Sequence, residues 1–160
     1  MNAADCCHEI PGCKGIYVDA FRGKYLKKNA DSKNSFILTH YHGDHYGSLP
    51  RENKYQGPAL IHCTPTTCRL LCEIHEVPSA FVRAHEYGET FDLSTHSGKK
   101  ASITFYDANH CPGAAIVFVK APDGLSHVHC GDMRYHPKMM KYQLLQEAAA
   151  NSMIDTVLLD

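Results

Sequence analysis

The chain has 160 residues, 44 % hydrophobic and 21 % charged, which fits one globular domain with a substantial core and excludes a disordered chain. Its net charge of −1 gives no general attraction to nucleic acid. A basic stretch between Lys14 and Lys33 is compatible with a phosphate-facing patch, although a solvated face is the simpler interpretation. No apolar run reaches membrane-spanning length and no signal peptide is visible, which predicts an intracellular protein that makes no membrane contact.

The eight cysteines form no CxxC pair. Because intracellular thiols are normally reduced, we predict no disulfide framework. Four potential zinc ligands near the N-terminus have a spacing that matches no familiar zinc finger: Cys6, Cys7, His8 and Cys13. Cys68 and Cys72 lie four residues apart in a predicted helix and are predicted to be core residues.

In the first half of the chain, residues 1–14 are predicted to form an irregular arm. Short strands are predicted over Gly15–Phe21, Phe36–Thr39 and Ala59–Cys63. Thr64 is a predicted helix N-cap with Pro65 at the first helical position, and that helix runs to about residue 75.

In the second half, further strands are predicted over Ala80–Arg83, Ser102–Tyr106, Ala114–Val119, Ser126–Cys130 and Thr156–Leu159. Asp123 and Gly124 form the turn of a predicted hairpin. A predicted amphipathic helix over residues 138–150 carries Met140, Leu144 and Ala148 on one stripe. Because domains seldom stop on an apolar strand, we expect the chain to be a fragment that ends at Asp160.

Four potential metal ligands follow the second predicted strand: His40, His42, Asp44 and His45. The two histidines His40 and His42 are two residues apart, so on an extended chain their side chains leave the same face. Gly43 then allows a turn, after which the side chains of Asp44 and His45 can point in another direction. One extended pair and one pair after a turn favour two neighbouring metals over one. The alternative interpretation is a solvated loop with incidental histidines.

Histidine or aspartate also occurs at the ends of other predicted strands: Asp19, His110, Asp132 and Asp160. Such residues gather beyond one edge of a sheet in a layered α/β fold. His110 is expected to project from a rigid loop, because Pro112 and Gly113 force a tight turn. His129 is placed outside the predicted ligand set.

This set of residues is suited to hydrolysis. Three imidazoles fit a zinc ion with an open fourth position, namely those of His40, His42 and His110. Asp44 and His45 are predicted to begin a second site, and Asp132 is predicted to bridge the two. Metals about 3.5–4 Å apart lower the pKa of a shared water towards about 7 and stabilise the transition state of phosphodiester cleavage.

The motifs resemble those of the metallo-β-lactamase superfamily, and most closely those of its DNA cross-link repair nucleases in the β-CASP group. Residues 40–45 are similar to the His-x-His-x-Asp-His motif, and His110 and Asp132 match the later motifs. The string Asp-Ala-Asn-His-Cys-Pro-Gly at 107–113 is the most specific part. The resemblance spans nearly the whole chain from about residue 10. Gly43, Cys130 and Met133 depart from the usual residues without removing a ligand.

The resemblance implies a metallo-β-lactamase αββα sandwich, present as its N-terminal half over residues 15–160 and ending before the β-CASP region. It implies one or two zinc ions and a nuclear 5′ to 3′ exonuclease for DNA cross-link or double-strand break repair, acting on single-stranded DNA or 5′ ends. The implied metal ligands are His40, His42, Asp44, His45, His110 and Asp132. The implied catalytic carboxylates are Asp19, Asp44, Asp132 and Asp160.

Three other functions are compatible with these motifs. One is an RNA-processing β-CASP endonuclease. Another is a truncated, inactive form that binds metal or partners only. The third is a small-molecule metallohydrolase, which the string at 107–113 argues against.

Overall fold

The computed structural model describes residues 8–22, 31–151 and 154–159. Its first sheet contains β1 (Ile16–Val18), β2 (Ser35–Ile37), β3 (Leu60–Cys63) and β4 (Val82–Ala84). Its second sheet contains β5 (Thr90–Ser94), β6 (Lys100–Asp107), β7 (Ala115–Lys120), β8 (Ser126–His129) and β9 (Thr156–Leu158). The helices are α1 (Gly43–Tyr46), α2 (Pro65–Glu73) and α3 (Gln143–Ala150). Among these helices, none combines the length and the apolar character that crossing a bilayer requires.

The two sheets differ in strand direction. All neighbouring strands of the first sheet run parallel, in the order β1-β2-β3-β4. The second sheet is antiparallel from β5 to β8, and β9 joins β8 in parallel. The predicted hairpin at Asp123 and Gly124 is confirmed, because it connects the antiparallel strands β7 and β8.

The main core lies between the two sheets. Ile16 and Val18 of β1 are fully buried there together with Val117 and Val119 of β7. Tyr17, between the two β1 residues, points to the opposite face because successive strand side chains alternate. Burial of each such aliphatic side chain stabilises the fold by about 1.5–3 kcal/mol.

Helices cover the outer faces of both sheets. Leu71 of α2 packs with Phe36 on the outer face of the first sheet. Ala148 of α3 packs with Phe118 and Tyr106 on the outer face of the second. The order of layers is therefore helix, sheet, sheet, helix, which confirms the predicted αββα sandwich.

The predicted helix over residues 138–150 is wrong in one respect. A 3₁₀ turn at Pro137–Lys141 precedes α3, and Tyr142 between them has an extended ψ of 100°. This break resets the helical phase, so Met139 is buried while Met140 is 62 % exposed. β5 was not predicted. Leu93 is its one buried residue, and Thr90 and Asp92 are exposed, so the segment contains no apolar run that would mark a strand.

The described part of the predicted arm, residues 8–14, packs on the domain. Glu9 forms a β-bridge with Tyr17, and Ile10 and Cys13 are buried between the sheets. The boundary at residue 14 stays a prediction. Cys6 and Cys7, from the possible N-terminal zinc set, lie outside the described residues.

His62 of β3 and His85, which follows β4, form a pair that makes the stability of the protein depend on pH. Nδ1 of His62 lies 2.9 Å from Nε2 of His85. Burial, together with the neighbouring His85 and Arg83, lowers the pKa of His62 to about 3. An unfolded histidine has a pKa of about 6.5, so below that value only the unfolded state takes up this proton.

The contribution of His62 to stability is therefore complete above about pH 6.5 and is lost as the pH falls towards 3. We expect the free energy of unfolding, measured with urea between pH 6.5 and 5, to fall less in His62→Gln than in the wild type. The expected difference is up to about 1.4 kcal/mol per pH unit. Equal slopes in the two proteins would refute this role for His62.

Candidate metal centre

The first sheet delivers two of the site residues at one edge. Asp19 follows β1 directly, and His40 lies three residues after β2. Because β1 and β2 are parallel, their carboxyl ends meet at the same edge. His42 is extended, with φ −119° and ψ 150°, and α1 begins at the next residue. The turn at Gly43 carries His45 back towards Asp19.

The second sheet delivers His110 in the loop between β6 and β7. The carbonyl of Gly113 in this loop accepts hydrogen bonds from Thr64 Oγ1 at 2.7 Å and Thr67 Oγ1 at 3.2 Å. Gly113 has φ +88°, and a Cβ there would lie 2.9 Å from Thr67 Oγ1. Only glycine permits this approach, so the loop is held against the N-terminus of α2.

Three imidazoles converge at this edge, and we call His40, His42 and His110 the first ligand group. His40 Nε2 lies 3.0 Å from His42 Nδ1, which lies 3.2 Å from His110 Nε2. His42 Nδ1 has either one N–H or one lone pair, so hydrogen bonding accounts well for at most one of these two contacts. A tetrahedral zinc with Zn–N bonds of about 2.0–2.1 Å would place its ligand nitrogens about 3.3 Å apart, so the group fits such an ion.

The sulfur of Cys111 joins this group. Its Sγ and the three nitrogens all lie within 4.8 Å of one another. Sequence reasoning did not select Cys111 as a ligand. Its position next to His110 in a rigid turn was the available signal.

His40, His45 and Asp132 form the second ligand group. His45 Nε2 lies 3.1 Å from Asp132 Oδ1. The other oxygen, Oδ2, lies 3.3 Å from His110 Nε2 and 3.7 Å from His40 Nε2. Asp132 therefore directs one oxygen to each ligand group, which is the geometry of a bridging carboxylate.

Asp19 orients two of the candidate ligands, His45 directly and His40 through Thr39. Its carboxylate accepts hydrogen bonds from His45 Nδ1 at 2.8 Å, Thr39 N at 2.8 Å and Thr39 Oγ1 at 2.6 Å. Thr39 Oγ1 also lies 3.0 Å from His40 Nδ1 and, as it donates to Asp19, can accept that N–H. Both histidines then turn Nε2 towards the ligand groups, and the hydrogen bond at Nδ1 fixes the orientation of each ring.

The pKa values reflect a site that attracts positive charge. Burial disfavours ionisation of Asp19, but hydrogen bonds from His45 and Thr39 and the nearby His129 outweigh it and lower the pKa of Asp19. Burial also favours neutral His45, yet the hydrogen bond to Asp19 and the charges of Asp19, Asp132 and Asp44 raise its pKa to about 9. Burial and the charge of His45 lower the pKa of His40 to about 4.

One predicted site residue, Asp44, lies apart from the others. The Asp44 side chain is 72 % exposed in the first turn of α1, with Oδ2 3.8 Å from His45 Nε2, and it lies outside both compact groups. Asp160 lies outside the described residues. His129, placed outside the predicted ligand set, accepts a hydrogen bond from Gly131 N at 3.2 Å and so supports the segment that carries Asp132.

An open cavity of about 450 Å³ adjoins the first ligand group. Its lining includes His110, Asn109, Thr66 and Tyr87, and the Tyr87 hydroxyl donates to the carbonyl of Ala114 at 2.9 Å. The cavity therefore offers polar groups and one aromatic ring beside His110.

Exposed basic and aromatic side chains lie close to the same loop. Arg134 N donates to Ala108 O at 2.9 Å, and Asn109 Nδ2 donates to Arg134 O at 3.2 Å. The exposed Arg134 side chain and the 67 % exposed ring of Tyr135 therefore project from a backbone segment that is hydrogen-bonded to the His110 loop.

Comparison with curated proteins shows similarity to DNA repair proteins. The chain is 31 % identical to the chicken 5′ exonuclease Apollo, over 83 % of this chain and 26 % of that protein. It is 34 % identical to DNA cross-link repair protein SNM1 of Arabidopsis thaliana, over 86 % of this chain and 26 % of that protein. With mouse DNA cross-link repair 1A protein it shares 29 % identity, over 92 % of this chain and 13 % of that protein. The chain thus spans about a quarter or less of the length of these relatives.

Solved structures show the same fold at low sequence identity, whereas no family model matches the chain. The flavodiiron protein of Giardia intestinalis has a TM-score of 0.60 and 14 % identity, over 89 % of this chain and 43 % of that one. A Cronobacter sakazakii metallo-β-lactamase has a TM-score of 0.57 and 15 % identity, over 89 % of this chain and 66 % of that one. In sequence the chain is similar to DNA cross-link repair proteins over most of its own length, and its fold is the metallo-β-lactamase fold.

Proposed function

We propose that the chain is part of a zinc-dependent nuclease that hydrolyses DNA phosphodiesters during cross-link or double-strand break repair. The observation that carries this proposal is the pair of ligand groups that share His40 at one edge of the sandwich, with one oxygen of Asp132 directed to each group. We further propose 5′ to 3′ exonuclease action on single-stranded DNA or 5′ ends, in the nucleus. The similarity to a 5′ exonuclease and to DNA cross-link repair proteins supports a DNA substrate and exonuclease action.

The residues of the site would have different roles in this reaction. The first ligand group would hold one zinc, and His45 with Asp132 would begin a second site, with Asp44 close by. When bound there, zinc supplies Lewis acidity towards a phosphodiester oxygen and lowers the pKa of the attacking water. Asp19 fixes the tautomer and orientation of His45. The two oxygens of Asp132, one near His45 and one near His110, would set the distance between the two ligand groups.

The surroundings of the ligand groups suit a nucleic-acid strand. The exposed guanidinium of Arg134 can contact a phosphate, and the exposed rings of Tyr135 and Tyr87 can stack on bases. Because the whole chain carries a net charge of only −1, this binding would depend on local groups more than on the overall field.

The proposal is tested by removing one ligand from each group. We expect His42→Ala and Asp132→Asn to lose metal and to cleave 5′-phosphorylated single-stranded DNA more than about 100-fold more slowly than the wild type. Zinc content and cleavage would be measured together. His136→Ala, which changes an exposed histidine after β8, is the matched control.

Equal cleavage by the ligand variants and the wild type would refute the proposed centre. Zinc binding without turnover in the wild type would reduce the function of this chain to metal binding. Internal cleavage of RNA in preference to DNA would replace the proposed substrate with RNA.

A second prediction concerns Asp19. Asparagine keeps its shape and tolerates its φ of 49°, but it removes the charge that holds His45. We expect Asp19→Asn to weaken zinc binding about 10–100-fold in a titration against a competing chelator. Asp92→Asn, on the exposed face of β5, should bind zinc like the wild type. Unchanged affinity in Asp19→Asn would show that Asp19 has a purely structural role.

A third prediction concerns pH. In the metal-free protein His45 has a pKa of about 9, so a metal at the second ligand group must displace a proton from Nε2. Affinity for the second zinc should therefore rise with pH up to about 9, by up to about tenfold per unit, and then level off. Chelator competition at pH 7, 8 and 9 measures this slope. A flat profile over this range would contradict the assignment of His45.

A further inference from the structure

Three cysteines lie together where β3 meets α2, away from the metal centre. Cys63 is the last residue of β3, and Cys68 and Cys72 belong to α2. Cys63 is part of the core between the first sheet and this helix, and the other two pack against that core. We propose that Cys63 and Cys68 form a reversible disulfide when a peroxide oxidises the protein, and that Cys68 is the thiol that reacts first. This modification site does not depend on the proposed hydrolysis.

The positions of Cys63 and Cys68 bring their side chains together. Thr64 is the N-cap of α2, and its side chain accepts a hydrogen bond from Thr67 N at 3.4 Å. Cys63 therefore immediately precedes the N-cap, and Cys68 is the fourth residue of the helix. Apolar side chains at these two positions commonly pack on each other. Here the two side chains are thiols, and they are hydrogen-bonded to each other.

Cys72 also contacts Cys68 but is a poor disulfide partner. The two residues are four positions apart in α2, and their side chains are hydrogen-bonded. Residues at this spacing in a helix have Cβ atoms about 5–6 Å apart, whereas a disulfide requires Cβ atoms about 3.5–4.5 Å apart. A disulfide between Cys68 and Cys72 would therefore distort the helix, which leaves Cys63 as the partner of Cys68.

The surroundings of Cys68 favour its thiolate, which is the form that reacts with peroxides. The hydrogen bond from Cys63 lowers the pKa of Cys68 to about 6, against the effect of burial and with a further contribution from Cys72. In the described residues, the pKa of every other cysteine is raised instead. The cause is the hydrogen bond to Cys68 in the case of Cys63, and burial in the remaining four: Cys13, Cys72, Cys111 and Cys130.

Access to solvent assigns the order of the two chemical steps. Cys68 is partly exposed, whereas Cys63 is fully buried. The Cys68 thiolate takes one oxygen from hydrogen peroxide as the O–O bond breaks, which gives a sulfenic acid and a hydroxide that is protonated to water. The Cys63 thiol then loses its proton and attacks the Cys68 sulfur, and the S–O bond breaks to release a second water. The two thiols lose two electrons in total, and one peroxide is reduced to two waters.

Mass spectrometry tests this assignment, because trypsin separates the relevant cysteines. Cleavage after lysine and arginine gives a peptide of residues 55–69, whose cysteines are Cys63 and Cys68, and a peptide of residues 70–83, whose cysteine is Cys72. The folded chain would be treated with less than one equivalent of hydrogen peroxide, and free thiols would then be blocked with N-ethylmaleimide in denaturant. We expect peptide 55–69 to lose two hydrogens and to carry no label. Dithiothreitol added before the block should restore two labelled thiols.

Three variants separate the roles of the cysteines. Cys72→Ser is the matched control and should form the disulfide to the same extent as the wild type. Cys63→Ser should leave Cys68 with one or two added oxygens, because the sulfenic acid then has no thiol partner before the N-cap. Cys68→Ser should leave Cys63 fully labelled, because a buried thiol with a raised pKa is inert towards peroxide.

Two results for the wild type would overturn the proposal. One is a disulfide that links peptide 55–69 to peptide 70–83, which would make Cys72 the partner of Cys68. The other is a peptide 55–69 with two labelled thiols while other cysteines of the chain are oxidised, which would show that Cys68 is not the reactive thiol. Both results are read from the wild type, so they decide the question even if Cys63→Ser fails to fold. Neither result bears on the zinc content of the metal centre.

Discussion

The hydrogen bonds to the buried carboxylate of Asp19 are the interactions on which the arrangement of the site residues depends. Asp19 is 5 % exposed, and a carboxylate at such a position is costly unless donors surround it. Thr39 supplies two donors and His45 a third, so the end of β1 is joined to the end of β2 and to α1. The same network orients the rings of His40 and His45, so the hydrogen bonds that stabilise this edge also position two of the candidate metal ligands.

Close backbone approaches bring the second sheet to that edge. Ala115 N of β7 donates to Thr39 O at 3.0 Å, directly across the two sheets. Gly131 has φ +50°, and a Cβ there would lie 3.2 Å from Thr39 Oγ1. Glycine at this position lets the segment that carries Asp132 pack against Thr39. Thr39 therefore contacts this segment as well as Asp19 and His40. A small shift between the sheets would separate Asp132 from His45.

Much of this arrangement could be predicted from local pattern. The alternation of apolar residues in short strands predicts the layers, and Thr64 is an N-cap because its side chain accepts from Thr67 N. The order His40, His42, His45 after β2 predicts ligands at a strand end, since strand geometry has a period of two and Gly43 allows a turn. The αββα fold and the relationship to cross-link repair proteins are confirmed, whereas the ligand and catalytic roles remain predictions.

The sequence by itself determined which residue types stand at the strand ends, because strand periodicity and turn residues act over a few positions. Only the tertiary structure decided which of these side chains meet. It adds Cys111 to the first ligand group, leaves Asp44 exposed outside both compact groups, and directs the two oxygens of Asp132 to different groups. These outcomes depend on ångström-scale packing between two sheets, and contacts between residues as distant as His42 and His110 leave no local signal in the chain.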